Sequence, residues 1–192
     1  MIAIIDYGAG NTESIQNALE KLGQKSIVTD DIQKIKAADK VIFPGVGQAR
    51  TAMRILRKKG LEKEIPKLQQ PVLGICLGLQ LMCKDTEEGN IKGLGIFDAS
   101  VKKFPSIDKV PHMGWNSLID KNSALFKGVD ALTDVYFVHT YYAQISPETV
   151  ATAQYSTAFS AAMQKNNFYA TQFHPEKSSE AGMQILKNFL AL

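Results

Sequence analysis

The chain has 192 residues, of which 45% are apolar and 21% are charged, and its formal net charge is +3. This length and composition predict a single domain over residues 1–192 and exclude a disordered or low-complexity protein. The small net charge gives no support for nucleic-acid binding. The chain opens on an apolar strand pattern without a basic region or cleavage site, and no apolar run approaches the roughly 20 residues that a bilayer requires. We therefore expect a cytoplasmic protein.

Strands and helices alternate through the first half of the chain. Apolar runs predict strands, and amphipathic segments predict helices. They occur in the order strand Ile2–Ile5, a helix that Asn11 caps and Gly23 ends, strands 25–29 and 40–43, helix 49–59, and strand Val72–Ile75. This alternation predicts a flavodoxin-like α/β fold with a mostly parallel central sheet and helices on both faces. Ligands of such sheets gather beyond the carboxyl ends of the strands.

Gly8 and Gly10 follow the first strand and match the start of a dinucleotide-binding fingerprint. The third glycine of that fingerprint is missing, because Glu13 stands in its place. We therefore expect no cofactor, and no residue pattern indicates a metal site.

Short β-prone runs replace this alternation from about residue 89 onwards, and they predict an antiparallel extension of the sheet. The runs cover residues 101–104, 135–138, 142–145, 150–155, 158–163 and 168–172. A closing helix, 179–190, carries Met183, Leu186 and Phe189 on one face, with Ser178 or Ser179 as its N-cap.

Cys76 stands between a short apolar strand and a segment without helix breakers, so it lies at a strand-to-helix turn. Gly74 and Gly78 flank it at the two positions where such an elbow needs small residues. Free N–H groups and the positive end of the dipole at the start of the following helix favour a thiolate and can bind an oxyanion. The pattern therefore predicts a nucleophile.

Cys83 follows seven residues later and is expected to be a buried, inert thiol. If both cysteines lie on the helix after the elbow, their Cα atoms are roughly 10 Å apart, which is beyond the reach of a disulfide. We expect both thiols to be reduced.

His174 is the candidate base for this nucleophile. It ends a β-prone run, and Glu176 follows it by two residues. Residues i and i+2 of an extended segment point to the same side, so the Glu176 carboxylate can hold one ring nitrogen while the other accepts the thiol proton. A histidine and a glutamate at the end of a surface strand are common, but their presence with the elbow favours catalysis.

An oxyanion hole has two candidate sources of N–H groups. One is the amide of Leu77, just after the nucleophile, and the other is the turn Gly45-Val46-Gly47 at the end of a predicted strand. For Gly47 the alternative of an ordinary strand-to-helix turn stays open.

Together, Gly-Ile-Cys-Leu-Gly-Leu-Gln at 74–80 and Phe-His-Pro-Glu at 173–176 resemble the class I, or triad, glutamine amidotransferases. The resemblance covers essentially the whole chain, which is thereby expected to be one amidotransferase domain. Segments 6–11, 44–47, 111–116, 136–141 and 174–178 are most similar to the glutaminase subunits of imidazole glycerol phosphate synthases, which serve histidine biosynthesis. Segments 48–50 and 97–100 depart from that pattern.

The resemblance implies hydrolysis of glutamine to glutamate and ammonia. By it, Cys76 attacks the substrate amide, His174 carries the proton to the leaving ammonia, Glu176 orients His174, and water hydrolyses the glutamyl thioester. It also implies that Gln80 and backbone groups near Gly47 hold the substrate. The backbone of His139, Thr140 and Tyr141 is implied to do the same.

The implied partner is a separate cyclase subunit, a (β/α)8 barrel, which forms a heterodimer with this chain. That subunit uses the ammonia to make imidazole glycerol phosphate and an aminoimidazole carboxamide nucleotide. Family-matched positions are expected near the partner surface: Asn11, His112, Met113, Trp115, Asn116, Tyr136 and Lys177. Trp115, the sole tryptophan, is a plausible anchor there.

The resemblance also implies low glutaminase activity until the cyclase binds its nucleotide. Rotation of a peptide within Gly45–Gly47 is one physical route, since it would move an oxyanion donor in or out of place. Three alternatives stay open at this point: a glutaminase subunit of another synthase, such as pyridoxal phosphate synthase, a non-catalytic regulator, and a general cysteine hydrolase.

Overall fold

A computed structural model describes residues 1–8 and 10–192 of the chain. The strands are β1 (Ile2–Ile5), β2 (Ser26–Thr29), β3 (Lys40–Phe43), β4 (Val72–Ile75), β5 (Cys83–Thr86), β6 (Ile91–Lys92), β7 (Phe97–Lys103), β8 (His112–Ser117), β9 (Asp134–His139), β10 (Tyr141–Ala143), β11 (Thr149–Tyr155), β12 (Thr157–Lys165) and β13 (Phe168–Thr171). The α-helices are α1 (Thr12–Lys21), α2 (Ile32–Ala37), α3 (Ala49–Lys58), α4 (Leu61–Glu64), α5 (Leu77–Met82) and α6 (Ser179–Leu190). None of the helices in these residues is long and apolar enough to cross a membrane.

The central sheet has the strand order β11-β12-β13-β4-β3-β1-β2 within the described residues. The pairs from β13 to β2 are parallel, and β11, β12 and β13 pair antiparallel with one another in that order. Alternate strand residues enter two buried clusters: Ile2 and Ile4 pack with α1 and α6, while Ala3 and Ile5 pack with α2, α3 and α5. The predicted α/β fold with helices on both faces of a mostly parallel sheet is confirmed.

The place of β13 differs from the prediction. The run 168–172 was expected in an antiparallel extension, but β13 joins the central sheet and pairs parallel with β4, with Thr171 opposite Ile75. Both faces of the run are buried, and the sequence of such a strand does not indicate which other strand it pairs with. The pairing brings the ends of β4 and β13 side by side, so the residues that follow them meet.

Two smaller sheets lie outside this order. One has the order β10-β7-β5-β6, and the other is the antiparallel pair β8 and β9, in which His112 lies opposite His139. The sequence pattern gave no strand at β5, β6 or β8 and no helix at α2 or α4. The assumption of one helix through both cysteines was wrong, since α5 ends at Met82 and Cys83 begins β5. Both thiols are free.

The elbow between β4 and α5 is closely packed. Cys76 has φ 54° and ψ −105°, a backbone conformation that costs about 1–3 kcal/mol for a residue with a side chain. Its N–H donates to the Thr171 carbonyl at 2.8 Å, which ties the elbow to the end of β13. A Cβ on Gly78 would lie 2.0 Å from the Phe43 carbonyl oxygen, so α5 can approach β3 this closely only without a side chain there.

We expect Gly78→Ala to destabilise the protein by at least about 2 kcal/mol, since either the helix or β3 must move to admit the methyl group. Chemical denaturation followed by circular dichroism measures this free energy of unfolding. Asn17→Ala, on the exposed face of α1, is the control and should change the stability by less than about 0.5 kcal/mol. Equal stability of the two variants would show that the elbow tolerates a side chain at residue 78.

Candidate active site

The structure brings Cys76 and His174 to one cleft at the carboxyl ends of β4 and β13. The cleft is lined by Val46, Gly47, Cys76, Leu77, Gln80, Glu88, Pro111, Val138, His139, Thr140, Tyr141 and His174. All but three of these are residues that the sequence singled out. Glu88, Pro111 and Val138 were not assigned to the site, although Val138 lies in a predicted strand and Pro111 in a family-matched segment, because their contact with the cleft depends on the tertiary fold.

His174 and Glu176 form a buried pair. Nδ1 of His174 lies 2.8 Å from Oε1 of Glu176, and the two side chains are only 3% and 1% exposed. The predicted contact therefore exists, but its geometry was wrongly inferred: Pro175–Lys177 is a 3₁₀ turn and not an extended segment. The turn is fastened by the Ser178 hydroxyl, which donates to the His174 carbonyl at 2.6 Å.

The expected cap of α6 takes a different form. Ser178 stands at the N-cap position, but its hydroxyl makes no capping bond. Instead this hydroxyl also accepts from the Tyr136 N–H at 2.9 Å, and the His174 N–H donates to the Tyr136 carbonyl at 3.0 Å. The histidine is therefore held by main-chain bonds to β9.

The environment of His174 favours its charged form. Burial opposes that charge, but interactions with Cys76 and Glu176 outweigh it and raise the pKa of His174 to about 10. Within the described part of the chain, Nε2 of His174 is buried without a hydrogen-bond partner. A proton on Nδ1 shared with Glu176 leaves this nitrogen for exchange with a reacting group.

The oxyanion candidates are not free in this conformation. The Leu77 N–H donates to the Gly45 carbonyl at 3.3 Å, so this amide is already occupied. The Tyr7 hydroxyl donates to the Pro44 carbonyl at 2.7 Å and anchors the start of the same turn. Gly47 has φ +95°, which only glycine adopts readily, and Val46 beside it is exposed at the rim of the cleft.

Gln80 is held by two acceptors on the far side of the elbow. Its Nε2 donates to the Tyr141 carbonyl at 2.8 Å and to Oε1 of Gln172 at 3.1 Å. Sequence reasoning missed Gln172, although its place two residues before His174 was a usable signal. Gln172 is fully buried, and its Nε2 lies 3.7 Å from the Cys76 sulfur.

The residues predicted for a partner surface do not all lie on the surface. Met113 and Trp115 on β8 are 62% and 53% exposed, whereas His112 is 3% exposed. His112 therefore lies beneath the strand, stacked on Tyr155, and a direct contact with a partner does not fit this position. Asn11 caps α1 through its Oδ1, which accepts from the Ser14 N–H at 3.2 Å.

The remaining predicted positions are Asn116 on β8, Tyr136 on β9 and Lys177 in the turn after His174. Trp115 packs edge-on against Tyr136 of the neighbouring strand, and Lys177 is exposed just after Glu176. The side-chain amide of Asn116 lies 2.9 Å from the Gln154 carbonyl and 3.3 Å from Nε2 of His112.

Known proteins are similar to this chain over nearly its whole length. The family model described as glutamine amidotransferase class-I matches residues 3–192. A Bacteroides fragilis protein named imidazole glycerol phosphate synthase subunit HisH is 55% identical over 194 residues, covering 100% of this chain and 99% of that protein. A Moorella thermoacetica protein of the same name is 48% identical and covers 98% and 93%.

A solved structure shares the fold at lower sequence identity. A chain of the PurLQS structure from Thermotoga maritima is 17% identical, with a TM-score of 0.76, and covers 99% of this chain and 97% of that chain.

We expect Glu176→Gln to lower the pKa of His174 below 10, because the buried imidazolium keeps its interaction with Cys76 but loses its carboxylate partner. In the parent protein this pKa is raised above the ordinary value of about 6.5, so the pair stabilises fully below that pH and its contribution is lost as the pH rises towards 10. The variant should therefore lose about 1–3 kcal/mol at pH 6 and much less at pH 10.

Nuclear magnetic resonance titration of the His174 ring and denaturation at the two pH values measure these effects. The control is Glu180→Gln, which removes an exposed carboxylate on α6. An unchanged titration of His174 would contradict this account of the pair.

Proposed function

Because this chain belongs to the class I glutamine amidotransferases, we propose that it is the glutaminase subunit of an imidazole glycerol phosphate synthase. The observation that carries the proposal is the meeting of the Cys76 elbow with the buried His174–Glu176 pair in one cleft. The nearly full-length relatives with that name support the choice of synthase. Residues 1–192 are taken as one amidotransferase domain in the cytoplasm.

The chemistry starts with Cys76. Its sulfur attacks the side-chain carbonyl carbon of glutamine, and its proton goes to Nε2 of His174. The imidazolium, held by Glu176 at Nδ1, returns the proton to the departing ammonia and leaves a glutamyl thioester. A water molecule then gives a proton to the same nitrogen and attacks the thioester carbonyl. The C–S bond breaks, the imidazolium protonates the Cys76 sulfur, and glutamate is released.

The oxyanion formed in each step needs N–H donors. In this conformation the Leu77 amide is occupied by the Gly45 carbonyl, so a rotation of the peptide after Gly45 would release it towards the substrate. The exposed Val46 and the positive φ of Gly47 make this turn the part of the cleft that can change. Such a resting state would give the low activity without a partner that the family resemblance implies.

The α-ammonium group of glutamine needs acceptors at the other end of the cleft. Glu88 is the acidic side chain among the described lining residues, and its Oε2 also accepts from the Ala49 N–H at 2.8 Å. Gln80 offers Oε1, since Nε2 already donates to Tyr141 and Gln172. We assign both side chains to the ammonium group, with backbone groups of Thr140 and Tyr141 beside them.

The partner is proposed to be the cyclase subunit, a (β/α)8 barrel that receives the ammonia and completes imidazole glycerol phosphate. Its contact surface on this chain includes the exposed side chains of Met113 and Trp115, with Lys177, Asn116, Tyr136 and Asn11 at its margin. The large exposed apolar groups suit an interface, where aromatic anchors carry much of the binding energy.

Cys76→Ala should abolish glutamate formation from glutamine, by at least about 10³-fold, because it removes the nucleophile. The assay compares the chain alone with the chain plus cyclase and its nucleotide. Cys83→Ala is the matched control, since Cys83 is fully buried in β5 outside the cleft, and it should retain activity within a few-fold. Undiminished hydrolysis by Cys76→Ala would refute the catalytic assignment, and full activity without the cyclase would refute the resting oxyanion turn.

Glu88→Gln should raise KM for glutamine at least about tenfold and change kcat much less, because the ammonium group loses its counter-charge. The side-chain amide oxygen that replaces the carboxylate at residue 88 can still accept from the Ala49 N–H, so we expect the fold to be unchanged. Glu87→Gln, an exposed neighbour that pairs with Lys102, is the control and should leave KM within twofold. Equal KM values for the two variants would remove Glu88 from the substrate site.

A further inference from the structure

We propose that Gln172, which is buried next to Cys76, is a catalytic residue whose side-chain N–H donates to the Cys76 sulfur and stabilises the thiolate. The inference rests on the proposed function for its meaning but concerns a side chain outside the triad. Two polar groups contact this sulfur, one a hydrogen-bond donor and the other an acceptor. Nε2 of Gln172 lies 3.7 Å away, and the Val138 carbonyl oxygen lies 3.9 Å away.

The two contacts favour different protonation states. A carbonyl oxygen accepts from a thiol and repels a thiolate, whereas an N–H group stabilises the negative sulfur. Gln172 is fully buried, so its donor competes with little water and its orientation is set by neighbours. The donor is thus the group that supports the nucleophilic form once the proton leaves for His174.

The neighbours determine which end of the Gln172 amide faces the sulfur. A backbone carbonyl can only accept, so the Tyr141 oxygen requires the nitrogen of Gln80 at 2.8 Å. The second hydrogen of that nitrogen requires an acceptor, which is Oε1 of Gln172 at 3.1 Å. Reversing Gln172 alone would set two NH₂ groups against each other, and reversing both amides would set two oxygens together at Tyr141. The nitrogen of Gln172 is therefore left facing Cys76.

The Tyr141 carbonyl, from which this assignment of the amide orientations starts, is held in turn by a buried pair of histidines. Nδ1 of His139 lies 2.8 Å from the Tyr141 oxygen, and Nε2 of His139 lies 3.0 Å from Nδ1 of His112. Burial lowers the pKa of His139 to about 3 and that of His112 to about 4, so both rings are neutral at pH 7. His139 then donates from Nδ1 to the carbonyl and accepts from His112 at Nε2, which gives each ring one consistent tautomer.

The test is Gln172→Met, which keeps the length of the side chain and removes the donor. We expect kcat for glutamine hydrolysis to fall about tenfold with KM within twofold. Alkylation of Cys76 by iodoacetamide, located by mass spectrometry, should fall about tenfold at pH 7, and its rate-versus-pH curve should move to higher pH. Gln164→Met is the matched control: Gln164 is partly buried on β12, accepts from Ser123 and should leave both measurements unchanged.

A purely structural role would give a different result. Misplacement of the sulfur would lower the alkylation plateau at high pH without moving the curve, and that outcome, or no change at all, overturns the proposal. Alkylation requires no glutamine, so it decides this point even if the parent protein proves to have no glutaminase activity.

If Gln172→Met does not fold, labelled glutamine side chains answer the question in the unsubstituted chain. With ¹⁵N-glutamine, one side-chain amide resonance should titrate together with Cys76 alkylation and stop titrating in Cys76→Ala. The absence of any such resonance would overturn the proposal.

Discussion

The parallel pairing of β4 with β13 is the constraint on which the site depends. Thr171 lies opposite Ile75, and the Cys76 N–H donates to the Thr171 carbonyl, so Cys76 and the histidine segment are fixed at one edge of the sheet. The strained backbone of Cys76 persists because this bond and the close approach of Gly78 to β3 leave no other path for the chain. The packing of the core thereby fixes the position of the Cys76 sulfur.

Histidines in this molecule show how burial and neighbours decide between charge states. His174 is buried beside a carboxylate and a cysteine, and its pKa rises, whereas His112 and His139 are buried among aromatic rings and each other, and theirs fall. The same side chain therefore favours its charged form in one environment and is a neutral hydrogen-bond donor and acceptor in another. His174 is thus the histidine whose pKa is raised, and it is also the one that the proposed chemistry uses.

The sequence predicted the features that local pattern determines. The elbow at Cys76, the first four strands of the parallel sheet and helix α1 follow from apolar periodicity, glycine spacing and the Asn11 cap. The pairing of β13 with β4 could not be read, because both are short buried strands far apart in the chain. Gln172 and Glu88 gain their positions from contacts 92 and 39 residues away, with Gln80 and Ala49. His112 was expected near the partner surface from its family match, but that match does not tell which side of β8 the side chain occupies, and it is buried.

The attachment of the histidine segment to β9 has an evolutionary consequence. Tyr136 provides only its main-chain N–H and carbonyl to Ser178 and His174, and these atoms are present in any residue except proline. Its side chain can therefore drift, together with Trp115 opposite it, without loosening the histidine. The side chains of Trp115 and Tyr136 can therefore differ between homologues while the main-chain bonds that hold the His174 segment stay the same.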